Sequence, residues 1–576
     1  MNKLVNILIY IFTLFLIEAP IWNNNQIINY ILFGLMLIID IIIIIKTPKR
    51  KIKLDRIDLL LISVPLIYII HTILGLNKLS LFHNYMIIIP ELILVLTILI
   101  IRRYINKKHI NIILDGLVYG SIFYFLASLF ATNGVLSFLG INSIFTDTYV
   151  TSIDRMYGTL LYCNASALFS LIAFFICFYK SKQKEDKYFY KIIMFMNLIS
   201  ISYTFSKIET LIMILMFIVL ITYYLIRKNY TEIKRIVTEL TSMFLPLLIS
   251  ITALRTYLIN NNIKVFILTL IISISLYMIL NLIIDIISNK KIYIYIPIIL
   301  ILNIPIIYLY IKPISIPLEI NSVSKENEYY ITDIIFTPNT KNTIEVDYEG
   351  KGNISFHLEG LVEVGNQIGG IDVGELKDNK IEFTAEDIEY YLLKVKGLNK
   401  DTDIKINKVL VNGKEYLINS FLIPYSLVHQ KDLINYDKES ASHRLLYYND
   451  CLKYSKENYF LYGGGKGTFE YKRLNETNRE YLEINPHSYL FELIIDIGIL
   501  GAFYLFFIYA IGIKNMLKKW KREEYLVIFT IFSCMSIGIM FDPIMSQIVF
   551  KGIYLIIFVL LNDLGKIRFK ELRRAN

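Results

Sequence analysis

Three segments carry side chains able to do polar chemistry in an otherwise oily chain. The first runs Asp154-Arg155-Met156-Tyr157-Gly158-Thr159 and on through Tyr162-Cys163 to Asn164. The second is Thr204-Phe205-Ser206-Lys207. The third is spread out: His443-Arg444, then Tyr462-Gly463-Gly464-Gly465-Lys466-Gly467, then Asn485-Pro486-His487-Ser488-Tyr489-Leu490, running on to Glu492 and Gly498-Ile499-Leu500-Gly501. Arg155, Lys207 and Arg444 are cations able to grip an anionic leaving group, the arginines being better suited to bidentate phosphate contact. His487 is a base of suitable strength, since an imidazole pKa of about 6.5 leaves much of it neutral near pH 7. Such a set could run a group transfer in which cations hold an anionic leaving group and a base receives the proton of an incoming nucleophile.

Each residue also has a plainer reading. A Lys or Arg at a helix end commonly snorkels to the headgroups, and for Lys207 alone that reading weighs equally. A histidine at the entrance of a span is more often a cap; Pro486, Glu492 and the two following glycines tip His487 toward function. The run Gly463 to Gly467 lacks the Gly-Lys-Ser/Thr ending of a phosphate loop and is expected to be a turn. Gly498 and Gly501 are expected to let helices pack closely. Asp40, Asp115, Glu209, Glu239 and Asp285 lie in or beside apolar runs, where ionisable groups are costly. Scattered as they are, structural pairing or interfacial placement explains them better than an ion path. No Asp-x-Asp or His cluster suits a catalytic metal, and the 4 cysteines give neither ligand spacing nor a disulfide framework.

The elements that must position these residues are membrane helices. Of 576 residues, 55% are hydrophobic and 19% charged, too little polar surface for a soluble protein of this length. Apolar stretches long enough to cross a bilayer are expected near 4–22, 26–45, 57–75, 82–101, 109–131, 159–179, 188–204, 208–226, 237–254, 263–287, 292–311, 488–513, 524–541 and 544–561. The pair 188–204 and 208–226 also reads as one long kinked helix. The first stretch lacks a small-residue cleavage site and is read as retained. Basic residues fill every second loop, including Lys46 to Arg56, Arg102 to Lys108, Lys180 to Lys187, Arg227 to Arg235 and Lys514 to Arg522. That alternation predicts cytoplasmic termini, an even span count, and a large extracytoplasmic segment 312–487. The net charge of +10 is thereby spent on orientation, and nucleic acid is not an expected partner.

Segment 312–487 breaks the helical pattern. Ile344 to Tyr348, Ile354 to Leu358, Ile381 to Phe383 and Ile404 to Ile406 alternate apolar and polar residues, and Asn412-Gly413 is a strong hairpin signal. These predict a small antiparallel sandwich over about 329–417. His443 to Tyr459 is expected to form a surface helix. The organisation is therefore an N-terminal membrane bundle (1–311), a β-rich insertion (312–420), a helical loop with the third segment (421–487), and C-terminal membrane helices with a basic tail (488–576). The fold class is an α-helical polytopic membrane protein of about 14 transmembrane helices with an extracytoplasmic β-sandwich-like insertion.

The third segment resembles the signature region of the bacterial O-antigen ligase and polysaccharide polymerase superfamily. There an Arg opens an external helix, a Gly-x-Gly turn follows, and Pro-His-Asn-x-x-Leu precedes a helix bearing Glu and Gly-x-x-Gly. Here those positions are Arg444, Gly463 and Gly465, Pro486-His487 with Ser488 in place of Asn, Glu492, and Gly498 with Gly501. The first segment is similar to the family's Arg-x-x-Gly-Thr-x-x-x-x-Asn element, at Arg155, Gly158, Thr159 and Asn164. The second lies where the family has Ser-Arg-Gly, here Ser206-Lys207-Ile208. The resemblance covers about 150 to 541 in order and topology. It implies a plasma-membrane glycosyltransferase that moves a glycan from an undecaprenyl diphosphate carrier to a glycan or glycolipid acceptor, without cofactor or metal. In that role His487 activates the acceptor, Arg155, Arg444 and Lys207 hold the diphosphate, and Asn164, Glu492, Gly463 and Gly465 shape the substrate site, Glu492 by orienting His487. A transporter or flippase of a lipid-linked glycan, or a non-catalytic glycan-binding relative, is the alternative.

Overall fold

The structure is a computed structural model. It describes residues 2–18, 26–47, 54–76, 81–131, 156, 160, 162–182, 186–204, 206–260, 263–287, 315, 317–321, 327–334, 336, 339–351, 354–364, 367–386, 390–398, 403–416, 418, 445, 447–456, 460–476, 486–519, 522–542 and 544–575. Helices α1 (Asn2–Glu18), α2 (Gln26–Lys46), α3 (Arg56–Ile73), α4 (Leu81–Tyr104), α5 (Lys107–Ala131), α6 (Cys163–Lys180), α7 (Lys187–Thr204), α8 (Lys207–Ile226), α9 (Tyr230–Asn260) and α10 (Ile263–Ile287) precede nine strands. After the strands come α11 (Thr468–Glu476), α12 (Tyr489–Ile497), α13 (Ile499–Lys519), α14 (Glu523–Phe541) and α15 (Ile548–Ala575). Every expected span meets a helix except 292–311, which lies outside the described residues. Among the described residues, seven helices are long and apolar enough to cross a membrane: 28–46, 56–73, 107–128, 163–180, 207–226, 264–285 and 499–519. This is a helical membrane protein.

Burial sorts the helices. In α6 every residue but Asn164 and Tyr179 is buried, so it is a central strut against α5, α7, α8 and α14. By contrast α8, α10 and α13 turn Leu211, Leu268 and Phe506 outward, as helices that face lipid must. Ser206, with extended backbone (φ −75°, ψ 115°), separates α7 from α8 and removes the single-helix reading.

One expectation is corrected and another gains detail. The stretch 488–513 is not one helix: it breaks at Gly498 (φ 72°, ψ −157°), dividing α12 from α13. The segment expected as a surface helix over 443–459 is helical over 447–456, and it buries Cys451 and Tyr454 in a small core with Phe469 and Ile495. Its apolar residues stand on two sides, and the buried side faces α11 and α12 while Leu445 and Leu452 stay exposed.

Ion pairs gather at one set of helix ends. Arg102 of α4 binds Asp55 at 2.7 Å and also reaches Asp58 and Asp563. Lys182 pairs with Glu232 at 2.9 Å and Glu523 at 2.7 Å, Lys180 pairs with Asp115, and Lys187 with Asp285. Deeper in, Lys191 pairs with Glu239 at 2.5 Å. Asp115, Glu239 and Asp285 are thus paired.

The strands form two antiparallel sheets. β1 (Leu318–Asn321), β8 (Asp403–Val411), β3 (Lys341–Lys351) and β6 (Lys380–Thr384) lie in that order, with β9 (Lys414–Tyr416) also on β8. The second sheet is β2 (Asn327–Ile334), β7 (Tyr390–Leu398), β4 (Ser355–Val364) and β5 (Gln367–Glu375). Ile344, Val346 and Ile406 of one share a core with Phe356, Leu393 and Val395 of the other. The Asn412-Gly413 turn has positive φ at both positions, 53° and 73°, as a tight hairpin of matching twist requires.

Candidate functional site

The first two segments meet at the starts of α6 and α8. The Met156 N–H donates to the Tyr203 carbonyl at 3.0 Å. The Ser206 hydroxyl lies between Asn164 Oδ1, at 2.9 Å, and a Glu209 carboxylate oxygen, and its one proton serves either acceptor at a time. Glu209 sits in the first turn of α8, where the helix dipole favours a negative charge. Lys207, half-buried, is the first residue of that helix.

The same end is closed by the turn between α14 and α15. The Tyr162 hydroxyl donates to Asp542 Oδ1 at 2.6 Å, and Gln547 Nε2 donates to the Leu160 carbonyl at 3.1 Å. Helix α6, expected from 159, begins at Cys163, with Tyr162 extended before it. Asp542 and Gln547 were not anticipated; a polar residue after an apolar stretch looks like any loop residue.

The glycine run is a turn, with φ of 73° at Gly463, 87° at Gly465 and 80° at Gly467. Its N–H groups fill the C-terminal carbonyls that α12 cannot satisfy itself: Gly464 to Ile495 and Gly465 to Asp496, both at 2.9 Å. In return the Ile499 N–H donates to the Phe460 carbonyl at 2.9 Å. The approach is close: a Cβ at Gly463 would lie 2.3 Å from the Asp496 backbone, and one at Gly498 would lie 2.5 Å from the Leu461 backbone. Gly498 therefore serves loop-to-helix contact, not the helix packing expected of it.

Lys466 dives from this turn onto α12. Its ammonium binds Glu492 and lies 3.2 Å from Asp496 Oδ2, which also accepts from Tyr68 of α3 at 3.4 Å. Burial alone would push the Lys466 pKa down, but Asp496 and Glu492 outweigh it and hold the ammonium well above the ordinary lysine range. Glu492, expected to orient His487, is instead a partner of Lys466, and its second oxygen is buried without a hydrogen bond. The signal for Lys466 was present: Glu492 and Asp496 are one helical turn apart in an apolar segment and need a cation.

His487 stands just before α12 with φ 50°. The Tyr447 ring stacks on its imidazole at 5.8 Å and 17°, and the Tyr448 hydroxyl donates to its carbonyl at 3.3 Å. Tyr448 in turn stacks on Phe491 at 4.3 Å. The helical stretch 447–456 thereby positions His487, a task no motif assigned to it. Arg155 and Arg444 lie outside the described residues, as do Gly158 and Thr159. Helix α14 packs against α6, α8 and α12 and so joins the surroundings of Asn164 and Lys207 to the helix that follows His487. Among the described residues no group of three or more His, Cys, Asp or Glu side chains could hold a metal ion.

Fold and site together define a helical membrane protein with polar side chains gathered at helix ends and a lysine-locked glycine turn. Compared with known proteins, the chain matches no family model, no curated protein and no solved structure.

Proposed function

We propose that the protein is a membrane glycosyltransferase of the O-antigen ligase or polysaccharide polymerase type, acting at the outer face of the plasma membrane. Its donor is an undecaprenyl diphosphate-linked glycan, and its acceptor a sugar hydroxyl on a glycan or glycolipid. His487 takes the hydroxyl proton as the oxygen attacks the anomeric carbon. The bond from that carbon to the diphosphate oxygen breaks, and Arg155, Arg444 and Lys207 hold the departing diphosphate. In this reading about 14 helices cross the membrane, both termini are cytoplasmic, and segment 312–487 with its two sheets is outside.

The observation that carries the reading is the Asn164–Ser206 hydrogen bond at 2.9 Å, which unites two segments chosen separately for their chemistry. Within the third segment, Tyr447 stacks on His487 and joins the helical stretch 447–456 to the start of α12. The ion pairs of Lys180, Lys182, Lys187 and Arg102 at other helix ends agree with the cytoplasmic side inferred from loop charge.

The test follows lipid-linked glycan in membranes bearing wild-type protein or His487→Ala at matched expression. Accumulation of carrier-linked glycan with loss of its transferred product is expected from the variant. Equal carrier and product levels would remove His487 from the chemistry and favour transport or binding of the same lipid-linked glycan.

A further inference from the structure

Phe460, Leu461 and Tyr462 form an apolar ridge leading into the glycine turn and are 48%, 63% and 47% exposed. Three neighbouring large apolar side chains this exposed favour an apolar surrounding over water. The ridge cannot fold inward, because both its ends are pinned. The Phe460 carbonyl accepts from Ile499 at 2.9 Å, and the Tyr462 backbone hydrogen-bonds His71 of α3. Just beyond, Gly463 touches the Asp496 backbone and Lys466 is salt-bridged to α12.

The neighbour of the ridge identifies the partner. Ile499, which holds Phe460, is the first residue of α13, one of the helices fit to cross the membrane. The next exposed side chains along α13 are Leu500, Phe503 and Phe506, a helical stripe of the kind that lipid covers. The ridge therefore adjoins the N-terminal end of α13, the level at which a spanning helix meets the headgroups and aromatic residues collect. We propose that Phe460, Leu461 and Tyr462 are inserted into the leaflet beside the entry of α13, among the first acyl carbons, about 5–10 Å into the headgroup and acyl boundary. The glycine turn is then a rigid membrane-inserted wedge, with Lys466 on its protein side and lipid on its other side. This inference does not depend on the glycosyltransferase reading.

The experiment uses the full chain in phosphatidylcholine nanodiscs. The protein has 2 tryptophans, Trp22 and Trp520; both are replaced by Phe, and Leu461→Trp or Tyr462→Trp is added as the sole emitter. Blue-shifted emission is expected, with most of it lost in lipid brominated near the glycerol end and little lost to aqueous iodide. Two reporters are used so that one misfolded variant does not decide the result. If every folded reporter is blind to brominated lipid, whether or not iodide reaches it, the ridge is not inserted and the proposal falls.

Discussion

Lys466 Nζ lies 3.2 Å from Asp496 Oδ2 and also grips Glu492, so one cation from a glycine turn neutralises two carboxylates on α12. The three side chains are only 15%, 11% and 3% exposed for Lys466, Glu492 and Asp496. Lys466→Met leaves both carboxylates buried without a counter-charge, which costs about 3–5 kcal/mol. Lys466→Arg keeps the charge and is expected to lose less than half as much. Melting of the two variants in detergent decides: equal midpoints would mean that the charge does not hold the turn.

The same lysine gives a pH expectation of definite sign. Its folded pKa is raised above the ordinary value of 10.5 by Asp496 and Glu492 despite burial. Its contribution is therefore fully present below 10.5 and is lost only as pH rises through the higher folded value. The stability lead of wild type over Lys466→Met should not shrink from pH 7 to 9 and should close only in stronger alkali. A gap that closes already between pH 7 and 9 would show that the ammonium is not held in its charged form.

Two glycines separate backbone strain from lack of space. Gly413 and Gly463 share a φ of 73°, yet a Cβ meets nothing within 4 Å at Gly413 and the Asp496 backbone at 2.3 Å at Gly463. Gly413→Ala should cost only the left-handed penalty of about 1 kcal/mol. Gly463→Ala adds a backbone clash, so the turn must leave α12, with a larger loss and new protease sensitivity near 460–467. Similar melting of both alanine variants would refute the close approach.

How much of this was legible in the chain depends on the range of the forces involved. Apolar length reports membrane helices directly, and strict alternation with Asn412-Gly413 reports the hairpin of β8 and β9, because both are local consequences of residue type. The break at Gly498 was not legible, since its cause is the Leu461 backbone arriving from another segment. Glu492 and Asp496, one helical turn apart in an apolar stretch, report that a cation is needed, but only the fold identifies it as Lys466. Likewise Glu209 and Asn164 were separate polar residues until Ser206 joined them.

That junction is open to a double-mutant cycle. Ser206→Ala and Asn164→Ala each remove one partner of the 2.9 Å hydrogen bond between α6 and α8. If the contact is made in the membrane-embedded protein, the double variant should be more stable than the sum of the singles by about 0.5–1.5 kcal/mol. Strict additivity in detergent melting would mean that Ser206 gives its proton to Glu209 alone.

His487 sits at φ 50°, a left-handed conformation in which a side chain costs about 1–2 kcal/mol and glycine costs little. Its ring also lies against Tyr447 at 5.8 Å. His487→Ala and His487→Gly both lose the ring and its stacking, so the two differ only in backbone strain. The glycine variant is expected to melt as if about 1 kcal/mol more stable than the alanine variant. His487→Asn, whose side chain tolerates this conformation, should fold well while lacking a base. If His487 acts as the base, all three variants lose glycan transfer despite their different stabilities. Transfer that instead tracks the melting order, highest in the glycine and asparagine variants, would make His487 a backbone feature and move the chemistry elsewhere.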